Sequence, residues 1–108
     1  MTTTTFRDFS WRSIHHVPTK FGAAALPHWH SYRARFWFVG VFDQDNLVKE
    51  LERVFGQLHG AALNSIVKPD SLDETVAAWL LNEAIAKIGP CIRVTLENDG
   101  QRGAEVCV

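Results

Sequence analysis

The chain has 108 residues, of which 46% are hydrophobic and 21% are charged, and its formal net charge at pH 7 is −1. This length and composition predict one globular domain spanning residues 1–108. A balanced charge provides no broad basic surface for a nucleic-acid backbone, which argues against that class of partner. The longest apolar run, residues 36–42, is too short to span a bilayer. The Thr-rich N-terminus lacks a secretory signal pattern, which favours a cytoplasmic protein.

Two strands joined by a loop are predicted in the N-terminal part of the chain. Residues 6–15 alternate in part between apolar and polar side chains, so Phe9 and His15 would share one face of a strand. Residues 16–27 contain two prolines and a glycine, which indicates a loop. Residues 28–41 are rich in aromatic and β-branched side chains, and they form the strongest predicted strand in the chain.

Two helices are predicted in the middle of the chain. Residues 43–46 (Asp-Gln-Asp-Asn) offer N-caps for a first helix, and apolar residues follow at helical spacing over residues 47–58. Ser71 and Glu74 have the spacing of a capping box, in which each side chain accepts a backbone N–H of the other residue. The second helix should end at Gly89-Pro90.

A strand hairpin is predicted at the C-terminus. Alternating apolar residues over 92–96 indicate a strand, residues 98–100 (Asn-Asp-Gly) a turn, and residues 104–108 the partner strand. The order ββααββ predicts an α+β domain, with two helices on one face of an antiparallel sheet. So small a sheet leaves its edges open, and pairing of these edges between subunits would produce a homo-oligomer.

Three histidines form a candidate metal site. His28 and His30 project from the same face of the second strand, and His15 ends the preceding strand. Three imidazoles are a ligand set for a catalytic zinc, because they leave a coordination position open. Histidines at this spacing also occur on strands that bind no metal. His16 is an alternative to His15 as the third metal ligand. His59 follows the first predicted helix, and its position is explained by the favourable interaction of a histidine with the helix dipole.

With these motifs the chain resembles the 6-pyruvoyltetrahydropterin synthase and 6-carboxytetrahydropterin synthase family. Residues 8–15 are similar to the family's first strand, which ends in Ala-Ala-His, and residues 28–32 (His-Trp-His-Ser-Tyr) to its His-Gly-His-Asn/Ser-Tyr/Phe motif. The resemblance implies the tunnelling fold (T-fold), in which subunits join their sheets into an oligomeric barrel and active sites lie between subunits. It also implies that the family's three zinc ligands fall on His15, His28 and His30.

The resemblance extends along most of the chain. Residues 41–43 look like the family's entry to the first helix, and residues 63–64 look like the Leu-Asn that follows its Asp-His pair. Glu74 matches the glutamate of the family's Pro-Thr-x-Glu segment. Glu97 matches a glutamate that holds the pterin ring, a task that suits a carboxylate because it accepts two parallel N–H bonds. Without the resemblance, Glu97 is equally well explained as a solvated carboxylate near a turn.

The chain departs from the family pattern at the residues that transfer protons. Ala24 stands where the family has a cysteine, within three consecutive alanines. The family's Asp-His pair aligns without a gap on His59 and Gly60, whereas one inserted residue would make His59 the catalytic histidine. Trp29 replaces the glycine between two zinc ligands and adds bulk on the opposite face of the strand.

The resemblance implies a zinc-dependent lyase-like enzyme that has diverged in its proton-transfer residues and acts on a pterin or a related small molecule. His59 would be the catalytic base, and Glu97 and Glu74 would bind substrate. The alternatives are a non-catalytic family member that binds a metal or ligand, and a protein whose histidines are structural. Cys91 and Cys107 are expected to be reduced thiols, and either could supply the missing thiol from another subunit.

Overall fold

The computed structural model describes residues 1–17 and 22–108. Their element order is ββααββ, which confirms the predicted α+β class. The predicted loop over residues 16–27 includes residues 18–21, which lie outside the described residues. The strands are β1 (Thr4–His15), β2 (His28–Val39), β3 (Cys91–Asn98) and β4 (Arg102–Cys107), and the helices are α1 (Gln44–Phe55) and α2 (Asp73–Lys87). No helix in the described ranges is long and apolar enough to cross a membrane.

The four strands form one antiparallel sheet in the order β1-β2-β3-β4. Side chains alternate between the two faces of the sheet, and one face is buried beneath the helices. The core on this side is apolar and contains these large, fully buried side chains: Phe36, Phe38, Phe55, Leu47, Leu51, Leu58, Leu63, Leu80, Val67, Val76 and Val94. The β1–β2 register pairs His15 with His28 and Ser13 with His30. All four of these positions therefore lie at one end of the sheet.

An irregularity in β3 shifts the phase of that strand, because Ile92 has no partner on β2. The register between β2 and β3 changes between Trp37 and Phe38. As a result Cys91 and Val94, three residues apart, are both buried, whereas strict alternation would have put them on opposite faces. Burial raises the pKa of the Cys91 thiol to about 11, so the reactive thiolate form of this residue is disfavoured near neutral pH.

The two helices begin in different ways. Of the N-cap candidates predicted over residues 43–46, Asp43 caps α1, because its side chain accepts a 2.9 Å hydrogen bond from the backbone of the first turn. The capping box predicted for Ser71 and Glu74 is wrong. The N-cap of α2 is Leu72, and no side chain makes a capping hydrogen bond there. The Ser71 hydroxyl lies instead 3.1 Å from Nδ1 of His15, at the end of β1.

Candidate metal centre

The structure brings together the three histidines that the sequence predicted as metal ligands. Their ring centroids are 4.6 Å apart for His15 and His28, 4.6 Å for His15 and His30, and 4.7 Å for His28 and His30. One ring nitrogen from each residue lies within 4.8 Å of the others. His15 and His30 are buried and His28 is half-buried. This arrangement follows from the register, because His15 and His28 face each other across two paired strands.

Two of the rings are held through Nδ1 by neutral acceptors. Nδ1 of His15 lies 3.2 Å from the backbone carbonyl oxygen of Ser71 and 3.1 Å from its hydroxyl. Nδ1 of His28 lies 2.7 Å from the carbonyl oxygen of Leu26. A ring that donates from Nδ1 has its lone pair on Nε2, and metal-binding histidines are commonly held in this way. These contacts therefore leave Nε2 of both rings available as a ligand atom.

The third ring is held by a charged acceptor. Nδ1 of His30 donates a hydrogen bond to Oδ2 of Asp99, and Oδ1 of Asp99 accepts the backbone N–H of Ser31 at 2.8 Å. The pKa of the Asp99 carboxyl is lowered, chiefly by the hydrogen bond from the Ser31 backbone and next by the hydrogen bond from His30. Nε2 of His30 is buried and has no hydrogen-bond partner among the described residues. A buried, unpartnered nitrogen beside two further imidazoles is what a divalent metal such as zinc would satisfy.

The environment favours the neutral form of His15. Burial is the largest cause of its lowered pKa, and repulsion from His30 adds to it, whereas the hydrogen bond to Ser71 acts in the opposite direction. A neutral imidazole is the form that binds a metal. Burial and charge repulsion therefore outweigh the hydrogen bond to Ser71 and favour the metal-binding form of this ring.

A cavity of about 290 Å³ opens beside the histidines. Its wall includes His15, His28, Val17, Leu72, Asp73, Glu74, Asn98 and Arg102. The amide of Asn98 donates a 3.0 Å hydrogen bond to Asp73, and its own Oδ1 is buried without a partner among the described residues. Glu74, predicted to bind substrate, lines this cavity. The space next to the histidines thus offers carboxylate and amide oxygens to a ligand that carries N–H or O–H donors.

The end of β1 is braced by the segment that follows α1. Asn64 accepts the backbone N–H of His16 through Oδ1 and donates to its carbonyl oxygen through Nδ2, both at 3.0 Å. The backbone N–H of Ile14 donates to Ala61 at 3.0 Å. These contacts fix the backbone on both sides of His15. The His16 side chain lies outside the group of candidate ligands, which favours His15 over His16 as the third ligand.

Glu97 lies on the opposite face of the sheet from the histidines. Its carboxylate is half-exposed and pairs with Arg33, with 2.6 Å between Oε2 and Nη2. Both residues line an open groove of about 650 Å³ on that face. Trp29 is also exposed there, with the Arg12 guanidinium 5.0 Å from its ring centroid. The structure therefore does not bring Glu97 into the cavity beside the histidines of the same protomer.

His59 is also remote from the histidine cluster within one protomer. Its ring packs on Phe9 with centroids 5.3 Å apart, and its Nε2 lies 3.3 Å from Oε2 of Glu52. Phe9 precedes His15 by six residues on β1, about 20 Å along an extended strand. The His59 side chain is about half-exposed, so it is open to contact from outside its own protomer.

Sequence reasoning missed two residues that orient the candidate ligands. The sequence pattern predicts a helix cap for Ser71 and a turn position for Asp99, whereas in the structure both side chains lie against imidazole nitrogens. The contacts span 56 positions for Ser71 and 69 for Asp99. The sequence gives one indication of these contacts, which is the turn composition around Asp99, because a turn there places a carboxylate at the end of the sheet.

Comparisons with known proteins identify the fold. No protein-family model matches the chain, and no curated protein sequence matches it. Among solved structures, the chain is similar to 6-pyruvoyl tetrahydropterin synthase from Caenorhabditis elegans, with a TM-score of 0.86 and 18% sequence identity. The match covers 100% of this chain and 96% of the other. At this identity the likeness establishes the fold, and the chain accordingly has the tunnelling fold that its sequence motifs predicted.

Proposed function

We propose that this protein is a zinc-dependent enzyme related to the 6-pyruvoyltetrahydropterin and 6-carboxytetrahydropterin synthases, acting on a pterin or another small molecule with carbonyl or hydroxyl groups. The observation that carries the proposal is the histidine cluster. In each of its three rings Nδ1 is already hydrogen-bonded, and Nε2 of the buried His30 has no partner among the described residues. The fold shared with a synthase of this kind supports it further.

His15, His28 and His30 would hold the zinc, and three protein ligands leave room for a substrate atom. A zinc bound there would supply a Lewis acid that polarises carbonyl or hydroxyl oxygens of a substrate. Glu74, which lines the adjacent cavity, would accept an N–H or O–H of the substrate and fix its orientation.

His59 and Glu97 would complete the site across a subunit boundary. The resemblance implies active sites between subunits of a barrel, and neither residue faces the cavity of its own protomer. In a homo-oligomer, His59 of one subunit would act as the base in a neighbouring site, and Glu97 would hold the edge of a substrate ring. We expect this oligomer to work in the cytoplasm, without a nucleic-acid or membrane partner.

A second candidate function is binding without catalysis. Ala24 occupies the position of the family's cysteine, and Gly60 falls within its Asp-His pair in the ungapped alignment. General acid–base groups contribute roughly 10²–10⁴-fold each to a reaction. Loss of two such groups could leave a metal centre that holds a ligand and does not convert it.

The decisive experiment is to load the protein with zinc, verify its content by elemental analysis and assay turnover of 7,8-dihydroneopterin triphosphate. Turnover that is lost in His59→Ala, with zinc retained, supports the enzyme and the role of His59. A matched control is His16→Ala, a histidine outside the cluster, which should keep full activity. Zinc binding without turnover of this compound means that the site serves another substrate or binding alone, and failure to bind zinc after reconstitution refutes the metal centre.

A further inference from the structure

The turn between β3 and β4 brings a carboxylate to the back of the candidate metal centre. Asp99 and Gly100 have φ angles of 54° and 70°, and Gln101 N donates to Asn98 O at 3.2 Å, which closes the turn. Asp is among the residue types that tolerate a positive φ. The turn therefore positions Asp99 over the neighbouring strand β2 and leaves its side chain free for contacts there.

The two carboxylate oxygens of Asp99 have separate partners on β2. Oδ1 accepts the backbone N–H of Ser31 at 2.8 Å, and Oδ2 accepts Nδ1–H of His30. The backbone N–H of Asp99 also donates to the carbonyl oxygen of Ser31 at 2.7 Å. Two contacts of the carboxylate and one of the backbone, all with two adjacent residues of β2, hold Asp99 in place and orient its carboxylate towards the imidazole.

We propose that Asp99 is a positioning residue of the metal centre, whose carboxylate keeps the proton of His30 on Nδ1 so that the Nε2 lone pair faces the metal. This inference rests on the proposed zinc site. His15 and His28 are held by hydroxyl and carbonyl oxygens, so among the hydrogen bonds of the described residues Asp99 alone brings a full negative charge to the cluster. Such a carboxylate fixes the tautomer and raises the basicity of the ligand.

The substitution Asp99→Asn tests the charge and the tautomer while keeping the shape of the side chain. Asn is tolerated at a positive φ, and its single oxygen is needed to accept the N–H of Ser31. Its amide group then faces Nδ1 of His30 and donates to it, which forces the imidazole proton onto Nε2. A metal must displace that proton, so zinc affinity should fall by about 10–100-fold, the usual effect of losing such a partner.

Two measurements on the full chain separate the outcomes. Nitrogen-15 NMR of the metal-free protein, under alkaline conditions where imidazoles are neutral, reports the tautomer of His30. Competition with a chromogenic chelator gives the zinc affinity. The matched control is Glu105→Gln, which removes one negative charge from the same hairpin at a residue paired with Arg93.

The proposal predicts that Asp99→Asn moves the His30 proton to Nε2 and weakens zinc binding, whereas Glu105→Gln changes neither. Equal zinc affinity in the wild type and in Asp99→Asn, or an unchanged tautomer, overturns the role of Asp99 and leaves the metal centre standing. A wild-type protein that binds no zinc overturns both the metal centre and this inference.

Discussion

Removal of one histidine should abolish the thermal stabilisation that zinc provides. A ligand that binds only the folded state at 100 times its Kd raises the free energy of unfolding by about 2.7 kcal/mol. For a domain near 100 residues, each kcal/mol raises Tm by about 4–8 °C, so zinc should raise Tm by roughly 10–20 °C. His28→Ala is the best variant, because this ring is half-buried and its Nδ1 hydrogen bond goes to one carbonyl, that of Leu26.

The measurement is differential scanning calorimetry with zinc and with a chelator. In His28→Ala the melting temperature in chelator should stay close to that of the wild type, since little packing is lost, and the increase with zinc should disappear. His16→Ala is the control, because the contacts that Asn64 makes to residue 16 use backbone groups and survive the change. A full zinc-dependent increase in His28→Ala would show that the metal binds elsewhere and would refute this reasoning.

Three further predictions concern the metal-free protein. Burial, with repulsion from His30, lowers the pKa of His15 below its usual 6.5. As the pH falls, the imidazole of His15 therefore becomes protonated in the unfolded state before it does in the folded state. The urea midpoint should therefore fall as pH decreases below 6.5, and His15→Gln should flatten the decline. Asp43→Ala should lower the free energy of unfolding by about 1 kcal/mol in urea titrations, through loss of a helix cap, and an unchanged value would contradict that role. Phe55→Ala should cost about 3–5 kcal/mol, because this fully buried ring packs against Phe36; a cost below about 1 kcal/mol would show that the site collapses around the smaller side chain.

The sequence predicts those features of the fold and site that depend on local periodicity. Alternation along β2 put His28 and His30 on one face, and antiparallel pairing with the strand ending at His15 then brings all three rings together. The N-cap at Asp43 is local as well, because its carboxylate bonds to a backbone group three residues later. Such contacts are set by a few neighbouring residues, and they can be inferred before the tertiary structure is known.

The partners of the histidines depend on distant parts of the chain and could not be predicted in this way. Ser71 has the local pattern of a helix cap, yet its hydroxyl lies against His15, because the start of α2 packs over the end of β1. Asp99 has the local pattern of a turn residue, and the β2–β3 register decides that it meets His30. Local propensity sets which groups are available in each case, and the tertiary structure sets their partners.

The alternation that unites the metal ligands also separates Glu97 from them. Leu96 and Asn98 are buried on the helix side of β3, so Glu97 between them must face the other side, where it pairs with Arg33. A carboxylate there cannot reach the cavity beside His15 without leaving its own strand face. If Glu97 anchors a substrate held by the metal, the substrate must therefore reach it around the end or edge of a sheet, as a site between two subunits allows. The assignment of Glu97 to substrate binding thus depends on the oligomer, whereas the assignment of the three histidines does not.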